Sequence, residues 1–134
     1  MNNANANIVL AFWEAVNAKQ YDGLDGFFTK DYVRHTLHGV ISAADFVKIL
    51  RDRGDAFPDL VSTILDTIEN GEKVAYRWGS VGTHRAAYLG IPATNRNVRA
   101  QGITISRIKE GRIAEDWSSW ETLNVLHSLN VFPL

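Results

Sequence analysis

Carboxylates and histidines are the side chains of this sequence that could carry chemistry. Residues 115–121 (EDWSSWE) bring three acids and two tryptophans together within seven positions. If this stretch is a strand, residues two apart share a face, so Asp116, Ser118 and Trp120 lie on one side. A carboxyl group on an apolar wall is desolvated and can act as a general acid or base near neutral pH. If this side faces a cavity, Asp116 is a candidate catalytic group, with Ser118 and Trp120 lining the same pocket.

The role of Asp116 stays open at this point, because alternation does not say which face of the strand points inward. Asp116 could lie exposed on the outer face, or it could be the ion-pair partner of an arginine. His35 is the second predicted catalytic residue, either as the partner of Asp116 or as a donor to a substrate carbonyl; a purely structural histidine is the alternative. Tyr32, Phe57 and Trp78 are predicted pocket walls, although such aromatic residues are often plain core.

Metal and cofactor chemistry have little support in the sequence. There is no cysteine, which removes thiolate nucleophiles and cysteine-bound zinc. His35 and His38 are three residues apart, but no third ligand is nearby in the sequence. No P-loop, dinucleotide-binding or G-x-S-x-G motif is present. We therefore expect neither a metal nor a cofactor.

The bulk composition suits one globular domain over residues 1–134. Of the 134 residues, 46% are hydrophobic and 22% are charged, with a formal net charge of -1, which is ordinary for a globular protein. No block of basic residues predicts binding to nucleic acid or to a membrane surface. No signal peptide and no membrane-spanning run are recognisable, and a cytoplasmic location is expected.

The first half of the chain is predicted to be mainly helical. Apolar residues at three- and four-residue spacing predict an amphipathic helix over residues 5–19. Residues 22–28 could form a short helix and residues 32–36 a short strand. Ser42 begins a second clear helix, since it can act as the cap, with Asp45 three residues later and with Ile41 and Phe46 placed as a hydrophobic staple. Gly54 is predicted to end this helix.

The second half changes to the two-residue period of strands. Alternation begins at Leu60, and Asn70-Gly71 is a strong hairpin signal. Further strands are predicted over residues 73–83, 98–108 and 112–120, with a loop at residues 90–97, a turn at Glu110-Gly111 and a short helix at residues 122–129. Helices followed by long antiparallel strands predict an α+β fold, with the N-terminal helices packed on a curved sheet that closes part-way into a cone. The space between the sheet and the helices would hold a small ligand.

Several motifs resemble one known family in the same order along the chain. They are AFPDL (56–60), GTH (82–84), LGIPAT (89–94) and ISRIKEGRIAEDWSSWE (105–121). The sequence resembles the SnoaL-like polyketide cyclases of the NTF2-like superfamily, from the first helix to the final HSLN (127–130). The resemblance implies a cone-shaped α+β barrel, commonly a homodimer through the outer face of the sheet. It also implies cofactor-free chemistry in which an aspartate on the last strand acts as general acid and base in an aldol ring closure.

The sequence departs from the family pattern at the important position. The family usually has an aspartate directly after the tryptophan, where this chain has Ser118, and a serine cannot serve as that base without a partner. Asp116 shares a strand face with Ser118 at about 6–7 Å, so we hypothesise that the acid has moved two residues along the same wall. Val16 stands at the position of a substrate-contacting aromatic residue, which implies a different or wider entrance. Tyr32 and His35 match the family's Y-x-x-H strand.

The sequence favours a cofactor-independent cyclase or isomerase that acts on a hydrophobic, polyketide-like small molecule. Asp116 and His35 would carry the acid and base steps. A non-catalytic binding protein that lost the usual aspartate is the first alternative. The second is an epoxide hydrolase or dehydratase on the same fold, which needs two acids flanking an arginine. Arg34, Arg77, Asp59 and Asp116 have the required residue types, but their spacing does not demand it.

Overall fold

The computed structural model describes residues 3–129, apart from the side chain of Leu123; Asn130, the last residue of the HSLN motif, lies outside them. Residues 3–129 form three α-helices, one 3-10 helix and six strands. The helices are α1 (Ala4–Asn17), the 3-10 helix (Tyr21–Phe27), α2 (Ala43–Ala56) and α3 (Thr122–Ser128). The strands are β1 (Phe28–Thr36), β2 (Gly39–Ser42), β3 (Val61–Asn70), β4 (Lys73–Thr83), β5 (Asn97–Lys109) and β6 (Arg112–Trp120).

The six strands form one curved sheet in the order β2-β1-β6-β5-β4-β3. Neighbouring strands are antiparallel, except that β1 and β6 run parallel. The two edge strands, β2 and β3, do not pair with each other, so the sheet stays open. The predicted α+β fold, with helices packed on a mainly antiparallel sheet, is confirmed.

Helices α1 and α2 bury their apolar faces against the inner face of the sheet. Val9, Phe12 and Val16 recur at helical spacing on α1, and each is buried in the main core. The spacing places one apolar stripe toward the sheet, and burial of each large side chain stabilises the folded state by roughly 1.5–3 kcal/mol. Phe46 and Leu50 on α2 join the same core.

The start of α2 follows the predicted capping, whereas its end does not. The Ser42 side chain accepts a hydrogen bond of 3.1 Å from the backbone N–H of Asp45, which satisfies one of the free donors of the first turn. The helix continues past Gly54 to Ala56. Gly54 is buried beside Tyr21, and a Cβ there would lie 2.0 Å from the Tyr21 hydroxyl. The glycine therefore serves a close contact rather than a helix end.

The strand predictions match the structure closely in the second half of the chain. Strands β4 and β6 have the predicted bounds, and β3 and β5 differ from them by one or two residues. The predicted hairpin is confirmed, because Asn70 pairs with Lys73 around Gly71, whose φ is 61°. Strand β1 is longer than predicted, and the short β2 was not predicted at all. Four residues have too few alternations for a reliable signal.

Among the described residues, no helix is long and apolar enough to cross a membrane.

Candidate active site

Asp116 lies on β6, and its side chain points to the inner face of the sheet. Its residue surface is only 2% exposed. The parallel register of β1 against β6 places Arg34 directly opposite Asp116. The Arg34 guanidinium is also buried, and its Nη1 donates to Asp116 Oδ2 at 3.0 Å. Of the interpretations open from the sequence, the structure shows Asp116 as the ion-pair partner of an arginine, not as an exposed residue of the outer face.

Two hydroxyl groups complete the surroundings of the carboxylate. Tyr32 donates its hydroxyl hydrogen to Asp116 Oδ2 at 2.6 Å, and Ser106 donates to Oδ1. Phe46 covers the pair from α2, with its ring centroid 3.9 Å from the Arg34 guanidinium carbon. A buried carboxylate with three donors is fully solvated by protein groups. We refer to Arg34, Asp116, Tyr32 and Ser106 as the inner polar cluster.

Burial and the charge of Asp116 together set the protonation of the neighbouring groups. The pKa of Tyr32 is raised, first by burial and then by the negative charge of Asp116. The same two causes raise the pKa of the adjacent Tyr76 to about 12. Burial, the largest single cause, lowers the pKa of Arg34, but the attraction of Asp116 together with the contributions of Tyr32 and Tyr76 outweighs it, so that the pKa is raised. At neutral pH the cluster therefore holds a protonated phenol, Tyr32, and a charged guanidinium, and the adjacent Tyr76 is protonated as well.

His35 lies on the other face of the sheet, so the predicted pairing of His35 with Asp116 is wrong. Successive residues of a strand point to opposite faces, and His35 follows Arg34. Its ring stacks on Trp117 with centroids 5.3 Å apart, and Nε2 lies 2.6 Å from Glu115 Oε2. This hydrogen bond is the main reason why the pKa of Glu115 lies below its ordinary value. The Y-x-x-H spacing was recognisable, but the spacing of three places its two ends on opposite faces.

Ser118 and Trp78 lie on the inner face, as predicted, but in a separate hydrogen-bond group. Thr104 is fully buried and joins them: its hydroxyl lies 3.0 Å from Ser118 Oγ and accepts a hydrogen bond of 3.1 Å from Trp78 Nε1. Trp120 follows at the end of β6 and is 38% exposed. Trp120, which was predicted to line the pocket, therefore lies at the edge of the fold rather than inside it.

The structure brings Val16 and Phe57 together on a small cavity between α1 and α2. The cavity has a volume of about 10 Å³, which is room for about one water molecule. Its lining residues are Val16, Asn17, Lys19, Tyr21, Leu50, Arg53, Gly54, Phe57 and Leu60. A second depression, with a volume of about 270 Å³, lies along α1 and the 3-10 helix and includes none of the predicted site residues. Neither of these two spaces is lined by Asp116, which is 2% exposed and in contact with Tyr32, Arg34 and Ser106.

Arg53 is an inward-facing residue that the sequence analysis missed. It lies on α2 three residues after Leu50 and four before Phe57, and all three line the cavity. An arginine at such spacing within an apolar stripe was the available signal. Its Nε is buried and has no hydrogen-bond partner among the described residues.

His84 is a second polar residue that the structure places in the interior. It is fully buried, and its ring packs 5.3 Å from the ring of Phe57. The backbone N–H of Thr94 donates to His84 Nδ1 at 3.2 Å, which places the ring hydrogen on Nε2. That Nε2 is buried without a partner among the described residues.

The combination required for an epoxide hydrolase is not assembled. Asp59 accepts hydrogen bonds from the backbone and the hydroxyl of Thr83. Arg77 pairs with Asp66, and both side chains are more than half exposed. In the described part of the chain, Arg34 forms an ion pair with Asp116 and with no second acid.

A family model described as SnoaL-like polyketide cyclase matches residues 7–129 of the chain. The chain belongs to the SnoaL-like polyketide cyclase family. Among curated proteins, no sequence matches it significantly.

Several solved structures share the NTF2-like fold of this chain. AclR from Streptomyces galilaeus, a proposed hydroxylase, is 24% identical with a TM-score of 0.89, over 96% of this chain and 97% of that one. IdmH from Streptomyces antibioticus, a proposed polyketide cyclase, is 24% identical with a TM-score of 0.82, over 95% and 99%. TsrD from Streptomyces laurentii is 22% identical with a TM-score of 0.87, over 98% and 99%. At these identities the likeness shows the fold.

Proposed function

We propose that this SnoaL-like protein is a cofactor-independent cyclase or isomerase that acts on a hydrophobic, polyketide-like small molecule, with Asp116 as its general base and acid. The observation that carries the proposal is the inner polar cluster, in which a buried carboxylate lies beside a guanidinium and a phenol. Such a site combines a proton acceptor with donors that can stabilise a developing oxyanion.

The groups of the cluster would have distinct roles in an aldol ring closure. Asp116 removes a proton from the carbon beside a substrate carbonyl, and the enolate carbon attacks a second carbonyl of the same molecule. One carbon–carbon bond forms, and the resulting alkoxide takes the proton back from Asp116. Arg34 and Tyr32 both donate to Oδ2 of Asp116 and would bind the enolate oxygen. The hydroxyl of Ser106 can rotate to release one carboxylate oxygen.

Substrate entry requires the inner aromatic residues to move. Phe46 covers Arg34, and its ring centroid lies 6.5 Å from that of Tyr32 in a stacked arrangement. Because these rings close the cluster from the α2 side, we propose that α2 and Phe46 shift outward when a ligand binds. Closure over the bound ligand would then keep water away from the enolate.

Deuterium uptake provides a direct test of the proposed proton transfer. Polycyclic aromatic ketones with acid or ester side chains are incubated with the protein in D₂O. Mass spectrometry then follows deuterium at the carbon beside the carbonyl, and chromatography follows the ring-closed isomer. We expect Asp116→Asn to lower both rates by about 100- to 10,000-fold. Tyr32→Phe should lower them less, because Arg34 remains as a donor.

Glu115→Gln is the matched control, since Glu115 precedes Asp116 but lies on the outer face with His35. We expect this variant to keep the wild-type rates. Equal rates in the wild type and in Asp116→Asn would contradict the proposal, provided that circular dichroism shows both proteins folded.

A non-catalytic binding protein is the second candidate function. It is favoured by the hydrogen bonds that occupy both oxygens of Asp116 and by the position of Ser118, where the family usually has its aspartate. This candidate predicts that ligands from the same panel bind but are recovered without deuterium and without ring closure at every pH.

A further inference from the structure

In the part of the chain that the structure describes, no carboxylate forms an ion pair with Arg53. Among the described residues, the ion pairs join other groups: Arg34 with Asp116, and the exposed residues of α2, Lys48 and Arg51, with Asp52 and Asp22. The polar contact of Arg53 is a long one, 3.5 Å from Nη2 to the hydroxyl of Ser62. A partly buried guanidinium with an unsatisfied Nε is costly to keep without a partner.

The cavity beside Arg53 has a cationic lining. Lys19 and Arg53 contribute to it, Tyr21 adds a hydroxyl, and no acid lines it. Arg53 has two carboxylates close to it along α2: Asp52, which pairs with Lys48, and Asp55, which is exposed on the helix surface. The pKa of Arg53 is lowered by burial, and the positive charge of Arg34 contributes in the same direction. The positive charges of Arg53 and Arg34 therefore repel each other. Asp116 is already ion-paired with Arg34.

We propose that Arg53 binds a carboxylate group of the ligand next to the inner polar cluster, so that the substrates are hydrophobic carboxylic acids. This proposal rests on the proposed function in one respect: the small molecule that Arg53 binds would be the one that reaches Asp116. A carboxylate accepts hydrogen bonds from Nε and Nη of one guanidinium in parallel. It would satisfy the unpartnered Nε and balance the charge.

The walls around Arg53 fit the rest of such a ligand. Trp13 faces the guanidinium with its ring centroid 5.8 Å from the carbon of that group. Leu50, Phe57 and Leu60 supply apolar surface in the same lining. The cavity of about 10 Å³ admits a group of about the size of a water molecule. A carboxylate is larger than a water molecule, so both it and the ring system of a ligand need the opening of α2 proposed above before the charged end can meet Arg53.

Two probes of equal size that differ in charge test this proposal. Anthraquinone-2-carboxylate and anthraquinone-2-carboxamide are titrated into the full chain by isothermal calorimetry. We expect the carboxylate to bind about tenfold more tightly or better, as for a charge-assisted pair. Arg53→Met should abolish this preference. Arg53→Lys should keep part of it, because the charge stays while the parallel donors are lost.

Lys48→Met is the control variant, since it removes one positive charge from the exposed side of the same helix. We expect it to keep the full preference for the carboxylate. Arg53→Gln is a second, polar replacement if Arg53→Met does not fold, and it should also lose the preference. Equal affinity for both probes in the wild type, or an unchanged preference in a folded Arg53→Met or Arg53→Gln variant, would overturn the proposal. Because this readout is binding, it is independent of the deuterium test of Asp116.

Discussion

Arg34 and Asp116 depend on each other because both are buried. Their ion pair is shielded from water, with side chains that are 9% and 3% exposed. Removal of one member leaves the other charge buried without a counter-ion, and that desolvated charge cannot be compensated by the remaining hydroxyls alone. The pair is therefore a stability element as well as the core of the proposed site.

We expect Arg34→Met to lower the free energy of unfolding by about 3–5 kcal/mol. Urea denaturation followed by circular dichroism measures this change. Arg77→Met is the control, because the Arg77–Asp66 pair is exposed and contributes about 0–1 kcal/mol. The double variant Arg34→Met/Asp116→Leu should recover most of the loss, since it removes both buried charges. The explanation is wrong if Arg34→Met costs no more than Arg77→Met.

At the scale of elements, the position of β5 depends on a close contact between a glycine and a tryptophan. Gly102 pairs with Trp78 on β4 and with Trp120 on β6. A Cβ at Gly102 would lie 2.4 Å from Trp78 Cζ2 and 2.6 Å from the carbonyl oxygen of Ser119. The Trp78 ring can therefore pack against β5 only because Gly102 has no side chain, and in this position its Nε1 donates to the hydroxyl of Thr104.

Gly102→Ala is expected to destabilise the protein by about 1–3 kcal/mol, because the added methyl group forces the tryptophan or the backbone to move. Thermal unfolding measures the effect. Gly26→Ala is the matched control: a Cβ at Gly26 meets no atom within 4 Å, so we expect a change within about 0.5 kcal/mol. Equal effects of the two substitutions would show that the contact with Trp78 is unimportant.

Most elements were predictable because their signals are local. The two-residue period, the Asn70-Gly71 turn and the Ser42 cap each need only a few consecutive residues, and each is confirmed. Gly54 misled the prediction of a helix end, since glycine also permits close packing, here with Tyr21. Nothing within α2 itself distinguishes these two uses of glycine.

At the scale of the whole molecule, the outer face of the sheet carries exposed apolar side chains. Val61 and Leu65 on β3 and Ile103 and Ile105 on β5 are between 37% and 55% exposed. An apolar patch of this kind is typical of a protein–protein interface. We propose that two copies of the chain associate through this face, as the resemblance to the family implies.

Ile103→Asp should convert the proposed dimer to a monomer, because it places a charge in the middle of the apolar face. Sedimentation equilibrium of the wild type and the variant measures the mass in solution. Leu37→Asp is the control, since Leu37 is 75% exposed but lies in the turn between β1 and β2. A wild type that sediments as a monomer, or a variant that remains a dimer, would contradict the assignment of this interface.

The sequence by itself determined the secondary structure of the second half, the α+β class and the family, because periodicity, turns and motifs are properties of consecutive residues. Only the tertiary structure decided which polar groups meet. Arg34 and Asp116 are 82 positions apart, and they face each other because β1 and β6 pair in parallel with one particular register. A shift by one residue would have brought His35 to the inner face instead. The sequence carries no local signal for such a register, which follows from the packing of the whole core.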